Sequence, residues 1–147
     1  MVRIVPFKEE HLEQFVYRGR RILGDYETEL IRVYAKCGPA YTALDGNAII
    51  GIAGVVILWP GVGEAWVYAN PEIRRYPKTI HRAVKEKLDE IIAGYGLHRV
   101  QAFVLSDFET GIRWVKRLGF EEEGLMRAYT PDGKDCIRFA RVEKCRQ

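Results

Sequence analysis

Apolar residues fall into blocks separated by glycine, proline and aspartate breaks, and the spacing inside the blocks changes along the chain. Residues 2–5 are an apolar run ahead of Pro6 and predict a first strand. Between residues 8 and 23, Leu12, Phe15, Val16 and Ile22 recur among charged side chains, the pattern of an amphipathic helix closed by Gly24. Leu30, Ile31, Val33 and Tyr34 predict a second helix over residues 27–37, ended by Gly38-Pro39. Residues 40–44 and 48–59 flank Asp45-Gly46-Asn47, a hairpin signal because glycine supplies the positive φ that a tight turn needs. Pro60-Gly61-Val62-Gly63 then turns the chain into a strand over residues 64–69, which completes an antiparallel meander.

The next stretch organises the rest. Pro77 suits the first turn of a helix, where its missing N–H has no intrahelical partner to lose. Ile80, Val84, Leu88, Ile91 and Ile92 form the apolar stripe of a helix over residues 77–93, stopped by Gly94 and Gly96. Residues 98–105 read as a strand, so strand, helix and strand make one right-handed crossover with its strands parallel. Ile112, Val115, Lys116 and Leu118 predict a helix over residues 108–118, ended by Gly119. Thr130-Pro131-Asp132-Gly133 is a turn joining a strand over residues 124–129 to a last strand over residues 136–142.

A chain of 147 residues is the size of one domain, and at that length about 70% of the unfolded surface can be buried. No internal repeat or linker divides it, so residues 1–147 read as a single domain. The continuous apolar run over residues 48–59 is broken by Gly51 and Gly54 and is too short to cross a bilayer, so it reads as a buried strand and no membrane partner is expected. A net charge of +3 is too small to point to nucleic acid. Cys37, Cys136 and Cys145 are odd in number and lack a C-x-x-C pair, which suggests neither a disulfide framework nor a zinc site. His11, His81 and His98 stand singly, so no metal is expected. With no signal-peptide core in the first residues, the expected location is cytoplasmic.

The order strand, two helices, three antiparallel strands, helix, strand, helix and closing hairpin resembles the GNAT acyltransferase fold. Ala69-Asn70-Pro71-Glu72-Ile73-Arg74-Arg75 is similar to the end of that family's fourth strand and the start of its acyl-CoA pyrophosphate loop. Ile112-Arg113-Trp114-Val115-Lys116-Arg117-Leu118-Gly119-Phe120 is similar to its later helix and the "LGF" that follows. The resemblance implies an α/β domain with a mixed central sheet of about six to seven strands flanked by about four helices. It also implies an N-acyltransferase that moves an acetyl group from acetyl-CoA to an amine. The backbone of Val67 and Ala69 would pair with the pantetheine arm, and Arg74, Arg75, Lys78 and Thr79 would hold the pyrophosphate.

The chain also departs from the family. Pro77 and Thr79 occupy the loop's two glycine positions, the family's frequent tyrosine falls at Val115, and its frequent asparagine falls at Phe108. These departures resemble the GNAT-like proteins of tailed bacteriophages. That branch implies a catalytically degenerate binding or virion-associated protein, located in host cytoplasm or virion, with a protein partner. A homodimer is compatible with either reading.

Each candidate side chain has a plainer alternative. Glu64 lies where the family often places a carboxylate that takes a proton from an amine, and it is otherwise a strand-end charge. Arg74, Arg75 and Lys78, with His81, Arg82 and Lys85, either hold phosphates or form a solvated helix face. Cations at a helix N-terminus oppose the macrodipole, which favours the first reading when an anion is present. Tyr129 and Tyr68 are candidate general acids toward a leaving thiolate, or packing residues. Trp59, Trp66 and Trp114 either line a pocket or fill the core.

Overall fold

The structure is a computed structural model that describes residues 1–143. Along the chain run β1 (Val2–Pro6), α1 (Glu10–Glu13), β2 (Val16–Tyr17), β3 (Arg20–Arg21), α2 (Asp25–Lys36), β4 (Ala40–Asp45), β5 (Ala48–Trp59) and β6 (Val62–Ala69). A 3-10 turn (Pro71–Arg75) leads into α3 (Pro77–Tyr95), and β7 (Arg99–Leu105), α4 (Glu109–Arg117), β8 (Glu121–Met126) and β9 (Cys136–Val142) complete it. Cys145 lies outside the described residues.

Seven strands form one mixed sheet in the order β1-β4-β5-β6-β7-β9-β8, and β2 pairs with β3 as a separate hairpin. As the crossover pattern predicts, β6 and β7 are adjacent and parallel; every other pairing is antiparallel. The parallel pair is short: Val62 faces Arg99, Gly63 faces Val100, Glu64 faces Gln101, and the strands then part. Each is held on its far side, β6 by β5 and β7 by β9 over its whole length. Beyond Glu64 and Gln101 no pairing joins the two strands, which leaves a fork between them.

Alternation along the strands sends side chains to two cores. On one face Val55, Val100, Ala102 and Phe139 pack with Leu88 and Ile91 of α3 and Val115 of α4. On the other, Ile49, Ile52 and Trp66 pack with Leu12, Phe15 and Ile31. Helix α3 ends on Gly96 in the left-handed region, with the Leu97 amide donating to the Ile92 carbonyl at 3.0 Å. Gly94 lies inside that helix.

The helix expected over residues 8–23 is not formed. Only α1 is helical; Arg18 at φ 51° and Gly19 at φ 76° then turn the chain through the β2–β3 hairpin. Leu12 and Phe15 are buried as the pattern requires, and Leu23 is buried with them, but Val16 is 39% exposed. An irregular segment folded over the core satisfies the same apolar spacing, so the spacing alone does not select a helix. The sheet is thus flanked by three longer helices and the single turn of α1. The strand expected over residues 124–129 begins earlier, and Tyr129 falls in the turn after it. There Ala128 has φ 52°, and the Tyr129 amide donates to the Lys134 carbonyl at 2.8 Å.

Gly38 ends α2 for a reason beyond helix termination. The amides of Ile57 and Val55 donate to the carbonyls of Cys37 and Pro39 at 2.8 and 3.0 Å, which lays this segment against β5. A Cβ at Gly38 would stand 1.9 Å from the Val55 carbonyl oxygen. No helix among the described residues is long and apolar enough to cross a membrane.

Candidate functional site

Glu64 is the last residue of β6 paired to β7, so it stands at the point of the fork. Arg138 of β9 donates from Nη1 to Glu64 Oε1 at 2.5 Å, and Gln101 Nε2 donates to the same oxygen at 3.2 Å. Arg138 also reaches the Tyr129 hydroxyl from Nη2 at 3.4 Å, and its guanidinium lies 5.8 and 5.9 Å from the Phe103 and Tyr129 ring centres. Those two rings meet edge to face at 4.9 Å. The structure thereby brings the two predicted catalytic candidates, Glu64 and Tyr129, to one guanidinium.

Both ends of the ion pair remain accessible. The Glu64 and Arg138 side chains are 18% and 17% exposed. Trp66 Nε1 is the one side-chain polar atom among the described residues that is buried without a hydrogen-bond partner. Glu64 Oε2 and Arg138 Nε have no partner there either, so both reach solvent. The wall beside them is aromatic: Tyr34 lies 5.5 Å from Trp66, and Trp66 lies 6.1 Å from Tyr68. Burial pushes the Tyr34 phenol up, with the nearby Glu64 charge adding to it, and pushes Tyr68 up to about 12. A phenol held that high keeps its proton, which makes Tyr68 the poorer of the two candidate acids. Tyr129, 44% exposed, is the better placed.

The second half of the site begins at the end of β6. Val67 and Ala69 have exposed side chains, and their backbone toward β7 is unpaired because the fork has opened. Asn70 fixes the chain that follows. Its amide donates to the Ile50 carbonyl at 3.0 Å, its Nδ2 donates to the carbonyls of Val16 and Ile49 at 3.0 and 3.2 Å, and its Oδ1 accepts from the Glu72 amide at 2.9 Å. The Tyr76 hydroxyl donates to Asp45 Oδ2 at 2.5 Å and pins the entry of α3 to the β4–β5 turn. That contact, and the N-terminal ammonium, hold the Asp45 carboxyl below its ordinary value.

No side chain caps α3 and no acidic residue lies in its first turn. Arg74, Arg75, Lys78 and Thr79 are all exposed around it. Arg75 is paired with Glu72 at 3.2 Å, so that acid neutralises part of the basic rim, whereas Arg74 and Lys78 have no ion-pair partner among the described residues. Pro77 occupies the first helical position, as the sequence predicts, and brings no N–H there. An anion would thus meet the side chains of Arg74 and Lys78 and the remaining first-turn amides.

Other candidates resolve differently. Trp59 is 60% exposed at the end of β5, Trp66 is buried, and Trp114 Nε1 donates to His81 Nδ1 at 3.2 Å, tying α4 to α3. Val115, at the position of the family's frequent tyrosine, is buried in the core. A cleft of about 410 Å³ beside α1 and α2 shares no residue with the fork. Its Arg21 and Arg32 pair with Asp25 and Glu29, so it reads as a solvated ion-pair cluster. Among the described residues no three histidine, cysteine, aspartate or glutamate side chains group as metal ligands.

The sequence reading did not single out Arg138 and Gln101. The available signal was a lone cation inside Cys136-Ile137-Arg138-Phe139-Ala140, a run otherwise apolar. Only strand order shows that this cation faces Glu64.

No protein-family model matches the chain, and no curated protein matches it in sequence. Solved structures do match in shape. A candidate phosphinothricin N-acetyltransferase superposes with a TM-score of 0.75 at 14% identity, covering 99% of this chain and 100% of its own. An IAA acetyltransferase from Bacillus cereus ATCC 14579 gives 0.73 at 18%, covering 97% and 99%. A variant of the spermidine N-acetyltransferase SpeG from Vibrio cholerae gives 0.71 at 15%, covering 95% and 94%. The chain has the fold of these N-acetyltransferases, the GNAT fold that its element order resembles.

Proposed function

We propose that this GNAT-fold chain is an N-acetyltransferase that uses acetyl-CoA as acyl donor and an amine as acceptor. The observation that carries this reading is the fork itself: β6 and β7 part immediately after a carboxylate, Glu64, that is held in place and still has one free oxygen. Acetyl-CoA supplies the thioester. Its pantetheine arm would pair with the open backbone of Val67 and Ala69, and its pyrophosphate would meet Arg74, Arg75, Lys78 and Thr79. The donor set fits in part, since Pro77 withholds one amide from the anion.

The chain's own residues divide the remaining work. Glu64 Oε2 receives the acceptor's ammonium and the proton it must give up before its nitrogen can attack. As the amide C–N bond forms, the C–S bond breaks, and the Tyr129 hydroxyl supplies a proton to the departing sulfur. Arg138 keeps both side chains at the fork. Positioning of the two reactants carries the larger share of the rate, as in any reaction of two bound substrates.

One observation favours a second reading, a GNAT-fold binding or virion-associated phage protein without catalysis. Pro77 and Thr79 stand at the glycine positions of the phosphate loop, and Glu72 offsets part of the basic rim. Titration with CoA and acetyl-CoA by calorimetry separates the two, because a ligand that binds only the folded chain must also raise its melting temperature. Binding together with thiol release in the presence of an amine supports the enzyme. No heat and no shift at millimolar ligand supports the second reading.

A further inference from the structure

We propose that the acceptor amine also carries a carboxylate, that is, that it is an amino acid, with Arg138 holding the carboxylate and Glu64 the ammonium. This rests on the acetyltransferase reading above and names its acceptor class. Arg138 spends only Nη1 on Glu64; Nε has no partner among the described residues, and the Nη2 contact to Tyr129 is long at 3.4 Å. The Nε–Nη2 edge of a guanidinium is the fork that matches a carboxylate with two parallel hydrogen bonds. The rings of Phe103 and Tyr129 fix that edge in place, so little side-chain freedom is lost when a ligand arrives.

Charge balance points the same way. Glu64 is compensated by Arg138, and Glu123, the next carboxylate near Arg138, is taken by Arg99 through two bonds at 2.9 and 2.6 Å. A polyamine would bring two or more positive charges beside the Arg138 guanidinium, which opposes binding at that end of the site. An amino acid brings one charge of each sign to a site that offers one of each.

The test measures initial rates of acetyl transfer, and calorimetric binding, for three acceptor sets: the standard amino acids, their decarboxylated amines, and spermidine. Loss of a charge-assisted bidentate contact is expected to raise KM and Kd by roughly tenfold or more for the amine relative to its parent amino acid. Arg138→Gln should erase that difference, and Arg138→Lys should retain part of it; the wild-type comparison stands even where a variant folds poorly. Equal or better use of decarboxylated amines or of spermidine overturns the proposal and leaves the acetyltransferase reading intact. Binding of CoA without binding or turnover of any acceptor set also overturns it. Absence of CoA binding removes the acetyltransferase reading and this inference with it.

Discussion

Glu64 of β6 and Arg138 of β9 are joined at 2.5 Å across the intervening strand β7, seventy-four positions apart in the chain. Because each side chain is less than a fifth exposed, removing one leaves the other charge partly buried and poorly paired. Arg138→Met is expected to lower unfolding stability by about 1–3 kcal/mol, less than a fully buried pair would lose. A double-mutant cycle with Glu64→Gln and Arg138→Gln in urea should return a coupling energy of similar size, and additive effects would show that the pair contributes nothing. If Glu64 is the base, Glu64→Gln should also reduce kcat by about 10²–10⁴-fold.

The exposed cations before and within the first turn of α3 should make CoA affinity depend on salt. Replacing Arg74, Arg75 and Lys78 together with alanine ought to weaken binding and flatten its salt dependence. Arg74 and Lys78 should account for most of the effect, since Arg75 is already paired with Glu72. Unchanged affinity at low ionic strength would mark a merely solvated face.

Pro77 denies the site one backbone donor, and a hydrogen bond to a charged group is worth roughly 1.5–3 kcal/mol. Native CoA affinity should therefore be weak. Pro77→Gly with Thr79→Gly is expected to tighten binding by about one to two decades. It should cost roughly 1 kcal/mol or more of stability, because glycine has more freedom to lose on folding. Calorimetry and a melting curve on the same variant check both signs; micromolar binding by the native chain would show that Pro77 is not limiting.

His11 is 8% exposed, with Nδ1 2.8 Å from the Thr42 hydroxyl and accepting from the Lys8 amide at 3.1 Å. Burial, then the nearby Lys8 charge, holds its imidazole below the ordinary value of 6.5, against a smaller opposing effect of Glu10. The unfolded chain therefore takes up the proton first. Stability contributed by the neutral ring is present above about pH 6.5 and is lost as pH falls below it. Urea midpoints at pH 7 and pH 5.5 should drop more in the native chain than in His11→Gln. Equal drops would place the titration elsewhere.

What the sequence by itself determined is what local spacing and turn chemistry can specify. The run over residues 48–59, bounded by Asp45-Gly46-Asn47 and Pro60-Gly61, forms β5 over the residues read from it. Pro77 opens α3, and the strand, helix and strand around it form the parallel crossover that their order predicts. The cationic turn before α3 was legible for the same reason, since it lies within a few residues of that helix start.

Tertiary structure decided the rest. Residues 8–23 carry helical spacing yet fold as one turn and a hairpin, because Leu12, Phe15 and Leu23 reach the same core without a continuous helix. Gly38 reads as a helix stop, but the contact that requires glycine is with Val55, on a strand met only after folding. Above all, the chemistry at the fork depends on strand order. Insertion of β7 between β6 and β9 and the register that sets Phe103 against Arg138 bring Glu64, Arg138 and Tyr129 together, and no local pattern encodes a pairing between strands so far apart.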